Sequence, residues 1–185
     1  DKMFYNSLEK RYNPIVRAMR NLPKPIIARL NGVAAGAGCS LALAADMIIA
    51  AESAKLVEVF INIGLVPDAG GTWSLTKLVG RTRAMGLALT GEPITATKAL
   101  EWGLIWNAFP KDKLLGEAMK IVDKLAQGPT LGYGKTKIAI NAADSNSFKE
   151  QLELEAKLQG ECGITEDYAE GVRAFLEKRP PKFKG

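Results

Sequence analysis

The sequence contains no histidine, and this absence restricts its chemistry more than any other feature of its composition. Histidine is the commonest general base and metal ligand at neutral pH. A Ser–His or Cys–His nucleophile and a histidine zinc site are therefore excluded, and we expect no metal. Cysteine is almost as scarce: the sequence contains two, Cys39 and Cys162. Two cysteines make no disulfide framework, which favours a reducing, cytoplasmic location.

Long apolar runs are also missing. The sequence has no window of about 18 apolar residues, so no transmembrane helix is predicted. The net charge of +5 comes from basic residues spread along the chain, without a basic stripe interleaved with aromatics. We therefore expect neither a membrane nor a nucleic acid as a partner. The chain starts at Asp1 without an initiator methionine or the pattern of a signal peptide, so we expect an internal piece of a longer protein.

The 185 residues divide by pattern into an α/β front, 1–110, and a helical back, 111–185. The front half predicts a helix over 5–22, interrupted at Pro14, and short strands at 25–30, 47–51 and 55–59. Further helices are expected up to Trp102, with Thr95 as a cap and Gly103 as a stop. The back half predicts helices over 113–126, 131–143, 148–160 and 165–178. In the last helix, a buried stripe is predicted from Tyr168, Val172, Phe175 and Leu176.

The stretch Asn31–Asp46 follows a buried strand and reads as a glycine turn, with Gly32, Gly36 and Gly38, that leads into a helix from Leu41 to Ala45. Such a turn points free backbone N–H groups at a ligand, and small residues let the ligand approach the main chain. The alternative for Gly36 and Gly38 is a tight turn that only packs the helix against the strand.

Asp68 is the acidic residue of the glycine-rich connection Asn62–Trp73. One interpretation is a helix N-cap that satisfies free N–H groups. The other is a carboxylate base whose pKa burial raises to a useful value.

Other side chains have ordinary structural interpretations. Ser40 has no histidine to activate it, so we expect it to cap or pack. Cys39 is expected in the core, and Glu58 is expected as a solvated acid at a helix end. Phe60 and Trp73 are expected in the core or in a pocket wall. The basic cluster Lys178–Lys184 is either a solvated tail or a ligand contact.

Several stretches taken together resemble the crotonase superfamily of enoyl-CoA hydratases and isomerases. They occur in the family's order along the whole chain and are specific as a set: PIIA at 25–28, NGVAAGAGC at 31–39, Asp46, GLVPDAGGT at 64–72, LTGE at 89–92, ALEWGL at 99–104, and EG at 170–171 with FLEKRPPKF at 175–183.

The resemblance implies an α/β spiral of β-β-α turns with a helical C-terminal region that builds trimers, commonly paired into hexamers. It implies an acyl-CoA thioester as substrate, with coenzyme A as part of the substrate and no separate cofactor. It places Ala37 as one backbone N–H donor of an oxyanion hole that stabilises an enolate. Gly36, Gly38, Phe60, Pro67 and Gly71 match substrate-binding positions, and Lys178 matches a position near the CoA phosphate.

Two departures refine this picture. The hydratases' pair of glutamates is matched by Ser40 and Phe60, which transfer no proton, so hydration is disfavoured. Asp68 matches a catalytic aspartate of some members, and the segment from Phe60 to Trp73 resembles the isomerases of phenylacetate degradation. The family also carries residues ahead of this chain's start that supply the second oxyanion N–H, so half of the hole is expected here.

The predicted reaction is therefore isomerisation of an acyl-CoA thioester through an enolate, with Asp68 as base. Examples are conversion of ring-epoxide phenylacetyl-CoA to oxepin-CoA and a shift of a 3-enoyl-CoA double bond to the 2 position. The alternatives are a hydratase-like enzyme, a dehalogenase-like enzyme in which Asp68 attacks the substrate, and a truncated CoA-binding protein without activity.

Overall fold

The computed structural model describes residues 2–185 and divides into two compact units. Unit 1 comprises the residues up to Arg20 together with Ile26–Met119, and unit 2 comprises Asn21–Pro25 together with Lys120–Gly185. The sequence-based domain boundary at residue 110 stays a prediction. No helix among the described residues is both long and apolar enough to cross a membrane.

The N-terminal helical segment contains a change of helix type ahead of Pro14. Helix α1 spans Met3–Ser7, a π-helical turn spans Leu8–Tyr12, and α2 spans Asn13–Asn21. Proline lacks an N–H and clashes with the preceding turn, so an α-helical register is hard to maintain through it. The predicted interruption at Pro14 therefore takes the form of a π-helical turn rather than a break.

Two short sheets form the α/β part of unit 1. The first has the order β1–β3–β6, all parallel, and the second has the order β2–β4–β5, with β5 antiparallel to β4. Their strands are β1 at Ile27–Leu30, β2 at Val33–Ala35, β3 at Met47–Ala51, β4 at Lys55–Val57, β5 at Ile94–Thr95 and β6 at Asn107–Phe109. Strand β2 lies inside the predicted glycine turn, so that part of the turn prediction was wrong.

The strand pairing shows a repeated unit. Strand β1 pairs with β3 through Ile27 and Met47, and β2 pairs with β4 through Val33 and Lys55. Two strands followed by helix α3, Ala37–Leu43, are thus stacked on the next two strands. This is the predicted α/β spiral of β-β-α turns, and the fold class is confirmed.

Glycines with positive φ kink or end the longer helices of unit 1. Helix α4 spans Gly71–Thr90 and is kinked at Gly80, where φ is +76°. Helix α5 spans Ala96–Glu101, with the Thr95 hydroxyl accepting from the Lys98 N–H at 3.3 Å as predicted. The core of unit 1 is formed by small and branched residues of β3, β4 and α5, among them Ile49, Ala50, Ala51, Leu56, Ala96 and Ala99.

The helices after β6 confirm the helical prediction for the back of the chain. Their bounds are α6 at Leu114–Ala126, α7 at Thr130–Ala143, α8 at Phe148–Gly163 and α9 at Glu166–Leu176. The predicted buried stripe of α9 was wrong. Its residue Phe175 is 82% exposed, while Ala174 on the same helix is buried. The stripe lines an open groove of about 670 Å³ within unit 2, formed with residues of α7 and α8.

Candidate active site

Asp68 lies on the loop between a 3₁₀ turn, Val59–Ile63, and helix α4. It does not cap the helix, because Gly70 occupies the N-cap position and no side chain bonds there. The Asp68 carbonyl accepts the Gly71 N–H at 2.8 Å. Ala69 has φ +49° and Gly70 has φ +82°. Two successive left-handed residues reverse the chain before the helix starts, and strain of this kind at a non-glycine residue clusters at functional sites.

The carboxylate of Asp68 is held in an environment suited to proton transfer. Its Oδ1 atom is buried and has no hydrogen-bond partner among residues 2–185. Burial raises the pKa of Asp68 above its ordinary value. A carboxylate with a raised pKa and no structural partner is a stronger base than an exposed one and is available to a substrate proton.

Glu58 is a second buried acid of this region, and the prediction of a solvated side chain was wrong. It follows β4 directly, and its residue is 2% exposed. Neither carboxylate oxygen has a hydrogen-bond partner of ordinary geometry within the described chain. Burial raises the pKa of Glu58 to about 7; the Cys39 thiol opposes this rise, and the charge of Asp68 adds to it.

The neighbours of Glu58 are two consecutive residues of α3. Cys39 is 2% exposed, as predicted for a core residue. Burial, reinforced by Glu58, raises the pKa of the Cys39 thiol far above its usual range, so the thiol stays neutral and is a poor nucleophile. Ser40 is fully buried, and its hydroxyl has no partner in the described part of the chain. It packs but does not cap.

Gly71, the first residue of α4, brings these groups together. A Cβ atom at Gly71 would lie 2.5 Å from Ser40 Oγ and 3.3 Å from Glu58 Oε1. Ser40, Glu58 and the start of α4 therefore meet at one point, three residues after Asp68. Ser40 Oγ, both carboxylate oxygens of Glu58 and Asp68 Oδ1 are buried without a hydrogen-bond partner of ordinary geometry among residues 2–185. We call Ser40, Glu58 and Asp68 the oxygen cluster.

Gly36 and Ala37 connect β2 to α3, where the oxyanion donor is predicted. Gly36 has φ +53°, a conformation that favours glycine, and its N–H donates to the Val57 carbonyl at 2.9 Å. Ala37 begins α3 directly after it. A Cβ at Gly38 would meet no protein atom within 4 Å, so packing within the described chain does not require glycine there.

The remaining predicted site residues differ in their surroundings. Phe60 is buried in the 3₁₀ turn, and its ring lies 3.6 Å from where a Cβ on Gly36 would be, which makes it a wall of the turn. Pro67 is half-buried beside Asp68. Trp73 is 42% exposed and lies under the Arg20 guanidinium at 4.4 Å, so it is less buried than predicted. Lys178 belongs to unit 2, is exposed, and has φ +54°.

Glu58 is the site residue that sequence reasoning missed. A usable signal existed, since an acid directly after a buried strand lies at the carboxyl end of that strand, where α/β folds place ligands. No three acidic, cysteine or histidine side chains among residues 2–185 are grouped to hold a metal ion.

The sequence matches the enoyl-CoA hydratase/isomerase family over residues 1–185. The chain belongs to this family. It is 51% identical over 179 residues to the 1,2-epoxyphenylacetyl-CoA isomerase of Escherichia coli (strain K12), covering 97% of this chain and 68% of that protein. It is 49% identical over 178 residues to the "Probable enoyl-CoA hydratase" of Rhodobacter capsulatus, covering 96% and 69%. The resemblance to the crotonase superfamily is confirmed.

Solved structures agree with the fold. A crystal structure of an enoyl-CoA hydratase from Polaromonas sp. JS666 superposes with a TM-score of 0.94 at 36% identity, covering 99% of this chain and 71% of that one. The chain thus spans about two thirds of the length of its relatives, with shares of 68% and 69% for the two described above. Both isomerases and hydratases occur among the relatives. Family membership therefore identifies a crotonase-type enzyme but does not specify which of the two reactions it catalyses.

Proposed function

We propose that this protein isomerises acyl-CoA thioesters through an enolate, with Asp68 as the base. The observation that carries the proposal is the buried, unpartnered Oδ1 of Asp68, which directly precedes two left-handed residues and does not cap α4. In a shift from a 3-enoyl to a 2-enoyl thioester, Asp68 takes a proton from C2 and the electron pair moves into the thioester carbonyl. The same carboxyl then returns the proton at C4, so one base suffices.

The turn at Gly36 supplies the second element of this proposal. The Ala37 N–H, at the start of α3, would donate to the enolate oxygen, and Gly36 and Gly38 would let the thioester approach the backbone. Phe60, Pro67 and Gly71 would surround the acyl group, and Lys178 would contact the CoA phosphate. A homotrimer or hexamer, a cytoplasmic location and the ring-epoxide phenylacetyl-CoA substrate belong to the same proposal.

The decisive measurement compares Asp68→Asn with the unchanged protein, including any residues that its gene encodes outside this chain. We expect kcat/KM for a 3-enoyl-CoA to fall by about 10²- to 10⁴-fold, because the general base is lost. Asp112→Asn, an exposed aspartate, is the matched control and should leave the rate unchanged. Full activity in Asp68→Asn would rule out this function.

A hydratase is the second candidate, because Glu58 provides a second buried carboxyl that the positions of Ser40 and Phe60 do not. Incubating the protein with a 2-enoyl-CoA and separating the products distinguishes the two reactions. Accumulation of a 3-hydroxyacyl-CoA faster than double-bond migration would favour hydration.

An aspartyl adduct seen by mass spectrometry with an aromatic acyl-CoA would instead indicate the dehalogenase-like reaction. Calorimetric binding of CoA thioesters without turnover would indicate a binding protein.

A further inference from the structure

Glu58 is a buried acid that the fold does not use. Its residue is 2% exposed, and its oxygens have no hydrogen-bond partner of ordinary geometry within residues 2–185. It is the N-cap residue of the 3₁₀ turn, yet it makes no capping bond. Burying an unpaired carboxylate costs free energy without any structural return. An acid in this position therefore needs another explanation.

The surroundings of Glu58 point to the Asp68 site. Glu58 Oε1 and Ser40 Oγ both lie within 3.3 Å of the point where a Cβ on Gly71 would be. The titratable groups that act on Glu58 are the Cys39 thiol, from α3, and the Asp68 carboxylate, from the loop before α4. Cys39 is held neutral. Asp68 is thus the charged neighbour, and its charge has the same sign as that of an ionised Glu58.

We propose that Glu58 is a positioning residue of the Asp68 site, a carboxylic acid that keeps its proton while Asp68 carries the negative charge. This proposal rests on the function proposed above in one respect, the use of Asp68 as base. When two carboxylates interact and one of them, here Glu58, is almost fully buried while Asp68 is half-buried, the buried one keeps the proton and double ionisation is avoided. Glu58 then leaves the cluster with a single negative charge, and that charge sits on the base.

The consequence for the reaction is electrostatic. Removing a substrate proton neutralises Asp68 and creates an enolate, so a site with protonated Glu58 holds a single negative charge before and after the step. If Glu58 ionises, a second negative charge lies beside the developing enolate and opposes its formation. Activity should therefore rise as Asp68 loses its proton and decline again as Glu58 loses its own near neutral pH.

The kinetic test is the pH dependence of kcat/KM for a 3-enoyl-CoA. We expect the unchanged protein to lose about tenfold per pH unit above the ionisation of Glu58. Glu58→Gln, which cannot ionise, should remove this decline while keeping the rise at low pH. Glu52 is an exposed acid six residues earlier, so Glu52→Gln is the matched control and should retain both the rise and the decline of the pH profile. A Glu58→Gln profile identical to that of the unchanged protein would overturn the proposal.

A second measurement needs no activity and no Glu58 variant. Protein labelled with ¹³C at glutamate carboxyl groups is titrated by infrared spectroscopy between pH 5 and 9. We expect one labelled protonated-acid band to persist to near neutral pH, and to disappear at lower pH in Asp68→Asn, because the neighbouring charge is gone. A band that is absent, or that titrates identically in Asp68→Asn, would refute the shared proton.

The two proposals can fail separately. If Asp68→Asn stays fully active while the labelled band behaves as expected, the base assignment is wrong and the proton sharing stands. If Asp68→Asn is inactive and the band is absent, the isomerase proposal stands and Glu58 has no such role. Glu58→Met replaces Glu58→Gln in the kinetic test if the amide variant does not fold.

Discussion

Ser40 Oγ lies 2.5 Å from the position that a Cβ atom on Gly71 would occupy. Ser40 is fully buried on α3, and Gly71 opens α4. The close approach of these two helices is thus made possible by a residue without a side chain. Gly71 also anchors the loop before α4, since its N–H donates to the Asp68 carbonyl.

Gly71→Ala should therefore damage the site. A Cβ at 2.5 Å from a buried hydroxyl and 3.3 Å from Glu58 Oε1 cannot be accommodated without a shift of α3 or of the loop. We expect a loss of about 1–3 kcal/mol in the free energy of unfolding from overpacking, together with reduced activity. Denaturation in urea and the isomerase assay measure the two effects.

The matched control for this change lies on the same helix. A Cβ on Gly86 would meet nothing within 4 Å, so Gly86→Ala should be neutral or stabilising by up to about 1 kcal/mol, because alanine favours a helix. Equal effects of the two substitutions would show that the contact with Ser40 does not matter.

Glu58 should make stability depend on pH. Its pKa is about 7 in the folded protein, against an ordinary 4.5. Between these values the folded state binds more protons than the unfolded state, so the free energy of unfolding falls as the pH rises. The full penalty, about 3 kcal/mol, is present above pH 7 and vanishes below pH 4.5.

Glu58→Gln removes this penalty. Relative to the unchanged protein, the variant should gain about 2–3 kcal/mol more stability at pH 8 than at pH 5. Urea denaturation at the two pH values measures this difference in stability gain. Glu52 is exposed, so Glu52→Gln should change stability equally at both pH values. A pH-independent difference for Glu58→Gln would contradict the raised pKa.

Helix α8 begins with a capping box. The Ser147 hydroxyl accepts the Glu150 N–H at 3.3 Å, and the Ser147 N–H donates to Glu150 Oε2 at 2.7 Å. Ser147→Ala should cost about 1 kcal/mol. Ser145→Ala, whose exposed hydroxyl donates only to the Ala142 carbonyl, should cost little. Hydrogen exchange at the first turn of α8 reports the change locally, and equal protection in both variants would argue against the cap.

Glu170 fastens the C-terminal segment. Its carboxylate accepts from Arg179 Nη1 at 2.6 Å and Nη2 at 3.1 Å, and from the Lys182 N–H at 2.9 Å. These bonds to Arg179 and then to Lys182 lower the pKa of Glu170 to about 2. A lowered pKa stabilises the folded state above the ordinary value of 4.5, and the contribution is lost as the pH falls toward 2.

Glu170→Gln should release this segment and speed tryptic cleavage after Lys182. Glu177→Gln removes one bond to Arg179 Nε and leaves the contact with the Lys182 N–H intact, so its effect should be smaller. Mass spectrometry of timed digests compares the variants. Faster cleavage in Glu177→Gln than in Glu170→Gln would place the anchor elsewhere.

Local signals carried much of the fold. Thr95 and Gly103 bound α5 because capping and left-handed C-terminal residues act within a few positions. Strand β3 was found at its full length because a continuous buried run needs no knowledge of its partners. The apolar side of α9 was also visible, but burial depends on what covers a helix, and periodicity cannot report that.

The sequence by itself determined the family, the helices of the back of the chain to within a few residues and the candidate base Asp68, since motifs, caps and apolar periodicity are encoded over short distances. Only the tertiary structure decided that the residues of the oxygen cluster are buried without partners and that the pKa of Glu58 is raised. Ser40 and Glu58 are 18 positions apart in the sequence, so the approach of both to Gly71 depends on how the strands pair and on the missing side chain of Gly71. Burial without partners then sets the proton affinity of Glu58, because desolvation acts through three-dimensional packing.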